Sequence, residues 1–451
     1  LKSRVDDESG YKQDTGIVMD EDDVQLFHTL SDKLSEQKAA KKETKVHINH
    51  QGLTGEEYEK ADKISNKPKR ERTKEDDDLL KKLQEQKKER EKVIRLLRNV
   101  SIRLPLLIYG AKVDLTESIK MADFITLVDE ESWQEFMPKT VDKPLFRKLL
   151  KYYDEDVVSG AGLRIRRMAK AADELPPTER VKRIAEIFSH FRNPDKETVL
   201  TPWRVVNLHL SNMVGGYCFL NEQFDSQEVL EEPRLVDQGQ VTEDIFLNPE
   251  ARILEMNSKS GLYPLYMAYS LYAMKLPGPE DKLPLEQTQA LWQETVEQQI
   301  FVLCKTRMAE SITRRTLVGY QDWTVNTTYI PHLLERMEKD PQRLAKKLQR
   351  TDTWGKEGQP MKFDAIVGNP PYQEDTGGSA ANVAAKQARP VYNLFVDQAK
   401  TMQPHYISMI MPARWYAGGI GLNDFRNEML NDPHLIRLTD FVNSKACFST
   451  V

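Results

Sequence analysis

Cysteine is scarce in this sequence, and Cys218, Cys304 and Cys447 include no CxxC pair and no histidine at metal-ligand spacing. A disulfide framework and a zinc site are therefore not expected, and each cysteine is expected to be a small core residue. Long apolar stretches are lacking as well, since no run of about 18 apolar residues and no signal-peptide pattern occurs. These absences argue against a disulfide-rich secreted protein and predict a cytoplasmic one.

An excess of charge of one sign is also absent. The 451 residues include 65 Lys and Arg against 70 Asp and Glu, which gives a formal net charge of −5. This balance argues against a uniformly basic nucleic-acid coat, although a local basic cleft would not show in the sum. A mean hydropathy of −0.61 indicates that part of the chain is too polar to fold tightly and that part is richer in apolar residues than average. The length suggests about two or three domains.

Residues 1–98 form the most polar region. Few apolar residues in 1–75 recur at a regular spacing, which predicts a mobile or loosely helical stretch. Over 74–98, acids lead and bases trail along an apolar stripe, a pattern that predicts a long helix. Because acids are interleaved with the bases, a solvated connecting helix is favoured over a DNA-binding one.

Residues 99–195 are predicted to be a mainly helical connector. Its first segment, NVSIRLPLLIYGA at 99–111, is apolar and contains β-branched residues, so it is predicted to be a buried strand or a strand-like segment. From 196 to 451, helices alternate with short apolar strands, which predicts a parallel α/β sheet. The predicted strands lie in ARILEMN (251–257), QIFVLCK (299–305), KFDAIVGN (362–369), YISMIMP (406–412) and IRLTDFV (436–442).

The sharpest signal is a rigid tetrapeptide after one of these strands, made of Asn369, Pro370, Pro371 and Tyr372. Two consecutive prolines fix an extended turn, which sheet stability does not require. In an open α/β sheet, the loops after the carboxyl ends of strands build the ligand site. The tetrapeptide resembles motif IV of the amino-methyltransferases, in which Asn is typical of enzymes acting on adenine N6 and Ser of those acting on cytosine N4.

The chemistry of an exocyclic amine fits this tetrapeptide. The lone pair of such an amine is delocalised into the ring, which makes it a poor nucleophile. If the Asn369 side-chain oxygen and the Pro370 carbonyl accept its hydrogens, the nitrogen is drawn toward a pyramidal form whose lone pair points at a methyl donor. The resemblance implies S-adenosylmethionine as that donor, no metal, and stacking of Tyr372 on an adenine flipped out of the duplex.

A second candidate site follows the strand that ends at Glu255. A turn of small residues leads from it into a helix, so backbone N–H groups can approach a cofactor closely. The segment resembles motif I of the same family, which implies that Glu255 binds the methionine end of S-adenosylmethionine. It departs from the family pattern where Met256 replaces a proline and Lys259 a glycine. The turn residues to which the resemblance gives cofactor binding are Asn257, Ser258 and Gly261.

Thr201 and Pro202 begin the helical segment TPWRVVNLHLSNMVGG (201–216), where threonine suits the cap and proline the first turn. Because it lies upstream of a motif I, the segment resembles motif X, whose helix lines the methionine pocket, and the resemblance implies that Thr201 and Pro202 bind the cofactor. The order motif X, motif I, motif IV is that of the gamma class. Without the other motifs, Thr201 and Pro202 would be explained as an ordinary helix start.

Other candidates are weaker. Asp352 is either the motif III acid near the cofactor adenine or an ordinary loop aspartate. The second strand ends near Cys304, where the family usually has an acid for the ribose hydroxyls, so the ribose contact has no candidate. Tyr392 and Phe395 resemble motif V, with plain helix packing as the alternative. Arg414 is a candidate for contact with a DNA phosphate.

The resemblance covers about 200–451 and implies a Rossmann-like S-adenosylmethionine-dependent methyltransferase fold over 196–451, incomplete at its C-terminus. It implies site-specific methylation of adenine N6 in double-stranded DNA, as part of a restriction-modification system. Residues 99–195 are similar to the connector of large single-chain restriction-modification proteins. The chain is therefore expected to be a fragment, with helicase-like and target-recognition portions of the same polypeptide outside it.

Other functions stay open. The same tetrapeptide occurs in enzymes that methylate a glutamine of translation release factors, but the long connector and the gamma order disfavour them. A cytosine N4 target is disfavoured by Asn369. A third alternative is a non-catalytic fold that engages DNA, in which the altered motif I no longer binds cofactor.

Overall fold

The computed structural model describes most of the chain from residue 71 onward and groups it into two compact units. The first unit comprises Leu1–Asn99 with Lys151–Arg164, and the second comprises Val100–Leu150 with Ile165–Val451. The described residues are 63–64, 71–101, 103–112, 120–138, 140–150, 155–191, 200–225, 229–374, 389–419, 421–443 and 447–448. Most of the stretch 1–75, predicted to be mobile or loosely helical, therefore lies outside the described residues.

The predicted long helix is confirmed as α1, Lys74–Ser101. Its start carries a reciprocal cap, because the Asp76 N–H donates to the Thr73 hydroxyl at 3.2 Å and the Thr73 N–H donates to the Asp76 carboxylate at 3.2 Å. Acids fill the first turn, where they complement the helix dipole.

The connector is helical from its start, and the strand predicted at 99–111 is wrong. That segment contains the end of α1 and all of α2, in which Pro105 stands in the first turn and every other residue is buried. A short helix buried all round produces the same continuous apolar run as a buried strand. The connector helices are α2 Leu104–Gly110, α3 Met121–Leu127, α4 Glu130–Phe136, α5 Lys143–Leu149, α6 Glu155–Ala172 and α7 Pro177–Ser189.

The remaining elements build the predicted α/β region. The helices are α8 Trp203–Met213, α9 Leu262–Lys275, α10 Leu285–Gln299, α11 Arg307–Val318, α12 Leu333–Lys339, α13 Pro341–Leu348, α14 Tyr392–Thr401 and α15 Asn423–Asn431. The strands are β1 Gly216–Leu220, β2 Val229–Val236, β3 Ile253–Ser258, β4 Ile300–Cys304, β5 Asn326–Tyr329, β6 Ala365–Gly368, β7 Gln373–Glu374, β8 Arg389–Pro390 and β9 Tyr406–Met409. None of the helices in the described ranges combines the length and apolarity that a bilayer span requires.

The central sheet is parallel, as predicted, with the strand order β5-β4-β3-β6-β9. β1 and β2 form a separate antiparallel pair, and so do β7 and β8. Alternate residues of the strands face opposite sides of the sheet. On one side, Leu254, Phe301 and Ile366 join a buried cluster with residues of α12, α13 and α14, while α9 and α11 contact β3 and β4.

The strand predicted at 436–442 is wrong. The segment is irregular and largely exposed, with Ile436 75% and Leu438 54% accessible. A strand needs a neighbouring backbone to satisfy its N–H and C=O groups, and no described strand pairs with this segment. Instead, the Arg437 guanidinium donates to the Asn212 carbonyl and, at 2.8 Å, to the Gln238 side-chain oxygen.

The strand order reverses beside β3. The chain passes from β3 outward to β4 and β5, then returns to place β6 and β9 on the other side. In such sheets the crevice beyond the carboxyl ends of the strands, where the order reverses, is the usual ligand site. Gly368 ends β6 so close to β3 that an added Cβ would lie 3.0 Å from the Met256 carbonyl oxygen.

Connector helices pack on α11, which also supports the turn after β3. An added Cβ at Gly110 would lie 2.4 Å from Ile312 Cγ1, so α2 approaches α11 closely. The Arg180 guanidinium donates to the Thr316 carbonyl at 3.1 Å, and the Thr316 hydroxyl donates to the Ser260 carbonyl at 2.7 Å. One helix therefore links the connector to this turn.

Gly261 is a conformational requirement of the turn. Its φ is +76°, and an added Cβ would lie 3.0 Å from the Thr313 Cα of α11. We expect Gly261→Ala to lower the free energy of unfolding by about 1–3 kcal/mol, through backbone strain and the displaced helix. Urea denaturation measures the change. Gly278→Ala, where an added Cβ meets nothing within 4 Å, is the control, and equal midpoints for the two variants would contradict the assignment.

Candidate functional site

Three of the predicted segments meet at the carboxyl ends of β3 and β6. The two strands are paired so that Glu255 lies opposite Val367. Asn369 follows Val367 by two residues. The Asn369 side chain then reaches the segment before α8, where its Nδ2 donates to the Thr201 hydroxyl at 2.9 Å. The residues predicted from motifs X, I and IV are thus neighbours, although Thr201 precedes the other two segments by many residues.

The elbow of Asn369 to Tyr372 is held at both ends. Its Pro370 is buried, and Asn369 is partly buried. At its far end the Val391 N–H donates to the Tyr372 carbonyl at 3.3 Å, next to the short β7–β8 pairing. Among the described residues, Asn369 Oδ1 is buried and has no hydrogen-bond partner. The elbow therefore carries an acceptor with unused capacity.

Tyr372 lies beside Asn369. Burial raises the pKa of the Tyr372 hydroxyl well above its usual range, and the neighbouring Asn369 side chain opposes this rise. The hydroxyl is consequently neutral over the physiological pH range.

Thr201 does not cap α8, contrary to prediction. The helix begins at Trp203, Pro202 precedes it in an extended conformation, and no side chain caps its first turn. Thr201 is buried, with 8% of its surface accessible, and its hydroxyl accepts the Asn369 N–H instead. Pro202 itself occupies the cap position, so Thr201 lies one residue before it.

Glu255 is a buried acid in the middle of β3, which continues to Ser258 and so does not end at Glu255 as predicted. It is 6% accessible, and its Oε2 has no hydrogen-bond partner among the described residues. Burial raises the pKa of this carboxyl from its ordinary 4.5 to about 8, against a smaller opposing effect of a hydrogen bond from Ser258. In the absence of a cationic partner the carboxyl is therefore mostly protonated at pH 7.

The turn after Glu255 is shaped by its small residues. Asn257 is buried with a φ of 69°, a conformation that asparagine adopts more readily than most residues. The Gly261 N–H donates to the Ser258 hydroxyl at 3.2 Å, and that hydroxyl lies 3.1 Å from the Thr313 hydroxyl of α11. The turn is consequently fixed on α11 before any ligand binds.

Glu135 of α4 is a site residue that the sequence did not identify. Its partly buried carboxylate contacts Lys259 Nζ at 2.6 Å and also Nζ of Lys305, the residue after β4. Burial alone would raise the pKa of Glu135, but the two ammonium groups hold it below its ordinary value. Lys259, in a turn of small residues, signals the need for an acidic partner, but the sequence does not say which acid supplies it.

His209 was also missed, and it ties three elements together beneath the crevice. Its Nδ1 lies 2.8 Å from the Tyr263 hydroxyl on α9, and its Nε2 lies 2.9 Å from the Ser408 hydroxyl on β9. Burial lowers the pKa of His209 to about 3, so the imidazole is neutral. This network fixes α8 relative to the first turn of α9 and to the sheet.

Asp352 is not brought to this end of the sheet. It is exposed on a 3₁₀ turn, Thr351–Trp354, and pairs with Arg350 at 3.1 Å. That hydrogen bond from Arg350 lowers the pKa of Asp352. Four residues later, Lys356 Nζ donates to the Glu297 carbonyl just before β4 begins, so the turn lies near the amino ends of the strands.

Other predicted residues have varied positions. Arg414 is exposed on a 3₁₀ turn after β9, beyond the carboxyl end of that strand. Tyr392 and Phe395 are buried in the packing of α14, the first against Trp415 and Phe425. The three cysteines are free and buried, as predicted.

Residues 298–448 match the family of Eco57I restriction-modification methylases. This stretch runs from the end of α10 past α15 and contains the elbow, whereas Thr201 and Glu255 lie before it.

A curated relative and two solved structures were also similar. An uncharacterized adenine-specific methylase of Mycoplasma pneumoniae (strain ATCC 29342 / M129 / Subtype 1) is 38% identical over 90 residues, which cover 20% of this chain and 20% of the relative. The chain thus matches about a fifth of that protein's length. A modification subunit of a putative type I restriction enzyme from Vibrio vulnificus YJ016 has a TM-score of 0.30 at 10% identity, covering 56% of this chain and 43% of that one. A DrdV–DNA complex has a TM-score of 0.31 at 14% identity, and the match covers 64% of this chain and 27% of that one.

Glu255 should make stability depend on pH. A carboxyl whose pKa is raised by folding stabilises the folded state below its ordinary pKa, and this contribution is lost as the pH rises through its folded pKa. For Glu255 that window runs from about 4.5 to about 8. Glutamine does not titrate, so we expect Glu255→Gln to become progressively more stable than the unaltered protein across this window. The difference in the free energy of unfolding should reach a few kcal/mol at most, since a tenfold change in proton affinity corresponds to about 1.4 kcal/mol.

Urea denaturation at a series of pH values between 4.5 and 9 measures this difference. Glu357→Gln, at an exposed glutamate, is the matched control for the loss of one carboxyl group. A Glu255→Gln difference that stays constant over the series would mean that Glu255 keeps its ordinary pKa in the folded protein.

Proposed function

We propose that the chain carries the catalytic core of an S-adenosylmethionine-dependent methyltransferase that acts on adenine N6 in double-stranded DNA, within a restriction-modification system. The observation that carries the proposal is the buried Oδ1 of Asn369, which has no partner among the described residues. It follows β6 at the switch point of a parallel sheet, two residues after Val367, which pairs with Glu255. The match to restriction-modification methylases and the name of the curated relative support the reaction class and adenine as the base.

The residues of β3 and of the turn after it fit this methyl donor. A buried carboxylate oxygen without a partner is unfavourable, and an ammonium group such as that of the methionine portion would satisfy it. Glu255 would hold that group, and Asn257, Ser258 and Gly261 would form the turn that encloses the adjoining part of the cofactor. When bound, the cofactor supplies an electrophilic methyl group on a sulfonium.

The elbow would activate the nucleophile. Asn369 Oδ1 and the Pro370 carbonyl would accept the two hydrogens of the adenine amine and draw its lone pair out of conjugation. The same oxygens would stabilise positive charge as it develops on the nitrogen. Because Pro370 and Pro371 fix the backbone, these acceptors need no rearrangement when the base arrives. Tyr372 would stack on the flipped base.

DNA would approach from the carboxyl ends of the strands, where Arg414 is exposed and could meet a phosphate. We propose that sequence recognition and motor activity belong to other portions of a longer, cytoplasmic polypeptide. Methyl transfer is therefore best measured on the full-length protein, and cofactor binding can be measured on this chain.

Labelled methyl transfer tests the proposal. With the full-length protein and its cognate DNA, we expect label in N6-methyladenine after digestion to nucleosides. Asn369→Ala should lower the rate by about 100-fold or more, because an acceptor for developing charge is lost, while S-adenosylmethionine binding measured by calorimetry persists. Glu255→Ala should abolish that binding, and the control Glu357→Ala should change neither the rate of methyl transfer nor the binding of S-adenosylmethionine.

Label on cytosine or on protein would overturn the assignment of adenine as the substrate. Absence of binding heat would favour the non-catalytic alternative.

Cofactor binding should also release a proton. The Glu255 carboxyl is mostly protonated at pH 7, since burial raises its pKa to about 8, and an ammonium beside it favours the ionised form. We expect close to one proton to be released on binding at pH 7, which calorimetry in buffers of different ionisation enthalpy measures. At pH 9 the release should fall, because the carboxyl is already ionised. A release that does not depend on pH would show that Glu255 is not the group that titrates.

A further inference from the structure

The contact between Asn369 and Thr201 distinguishes the two ends of the Asn369 amide. An asparagine amide has a donating NH2 end and an accepting oxygen end of nearly the same shape. Here the NH2 end donates to the Thr201 hydroxyl at 2.9 Å, and the oxygen end is buried without a partner among the described residues. In this arrangement the Thr201 hydroxyl satisfies the NH2 end, and the oxygen end is the one left for a substrate.

Asparagine alone does not fix this orientation. Its terminal torsion is broad and roughly two-fold, so the amide can rotate unless a partner holds one end. Rotation would turn the NH2 group toward an incoming amine, and two donors would then face each other. The proposed activation of the amine consequently needs a group that engages the NH2 end.

Thr201 is suited to hold the NH2 end of Asn369 because its hydroxyl does not cap a helix. A threonine before a helix commonly caps it, but no side chain caps α8. The hydroxyl is buried and held by a rigid segment, since Pro202 follows it in an extended conformation and α8 is anchored to β1 through the Phe219 N–H, which donates to the Asn207 side-chain oxygen at 2.8 Å. His209 anchors the same helix to α9 and β9.

We propose that Thr201 is a positioning residue for the methyl transfer, which holds the Asn369 amide with its oxygen toward the substrate amine. This inference rests on the proposed function. It differs from the cofactor contact that the resemblance to motif X implies for Thr201, because it assigns the hydroxyl to the orientation of Asn369.

Thr201→Val and Thr201→Ser in the full-length protein separate these roles. Valine keeps the shape and removes the hydroxyl, while serine keeps the hydroxyl. We expect Thr201→Val to lower kcat by about 10- to 100-fold, the effect of losing one buried hydrogen bond, with the KM for DNA and the Kd for S-adenosylmethionine within about threefold of the unaltered protein. Thr201→Ser should retain kcat within about threefold. Thr201→Ala replaces the valine variant if that one does not fold.

Coupling to Asn369 provides the second test. A carboxylate accepts at both ends, so Asn369→Asp has no wrong orientation, and adding Thr201→Val to it should lower kcat much less than Thr201→Val does alone. An unchanged kcat in Thr201→Val, or a weakened Kd for S-adenosylmethionine in place of a lowered kcat, would overturn the positioning role. Absence of methyl transfer to DNA by the unaltered full-length protein would instead overturn the proposed function.

Discussion

The candidate site depends on the parallel pairing of β3 with β6 at the point where the strand order reverses. Glu255 lies opposite Val367, and a Cβ added at Gly368 would lie 3.0 Å from the Met256 carbonyl oxygen. A slip of one residue in this register would turn Glu255 to the other face of the sheet, into the apolar cluster that contains Leu254. The apolar residues on both sides of Glu255 therefore fix the position of the acid relative to the elbow.

Around this pairing the protein satisfies most polar groups but leaves a few buried ones unsatisfied. His209, Ser258 and Asn207 have partners that hold the helices and the turn in place. Glu255 Oε2 and Asn369 Oδ1 have none among the described residues. Such atoms also occur elsewhere, for example Gln299 Oε1 and Asn326 Oδ1, but those of Glu255 and Asn369 lie at neighbouring strands at the switch point. A ligand with two kinds of donor would relieve the cost of leaving them unpaired there. The satisfied network would then hold the unsatisfied atoms in position.

Much of this arrangement followed from the sequence, because local patterns determine it. Runs of apolar residues identified β3, β4, β6 and β9, and consecutive prolines identified the elbow. The same signal was wrong at 99–111, where a buried helix is also apolar throughout, and at 436–442, where no described strand supplies a partner. The contacts of Thr201 with Asn369 and of Glu135 with Lys259 join residues far apart in the chain, and several acids and hydroxyls of equal chemistry were available. Only the topology selects among them.

The helical connector takes part in the site through α11 and Glu135. Arg180 and Gly110 pack on α11, and the Thr316 hydroxyl of that helix holds the Ser260 carbonyl in the turn after β3. Glu135 contacts the same turn from a second direction through Lys259. The elbow is held by β6 and by Thr201, and His209 joins α8, the helix after Thr201, to the first turn of α9. The connector therefore supports the turn after β3 directly, and the elbow only through α8 and the sheet.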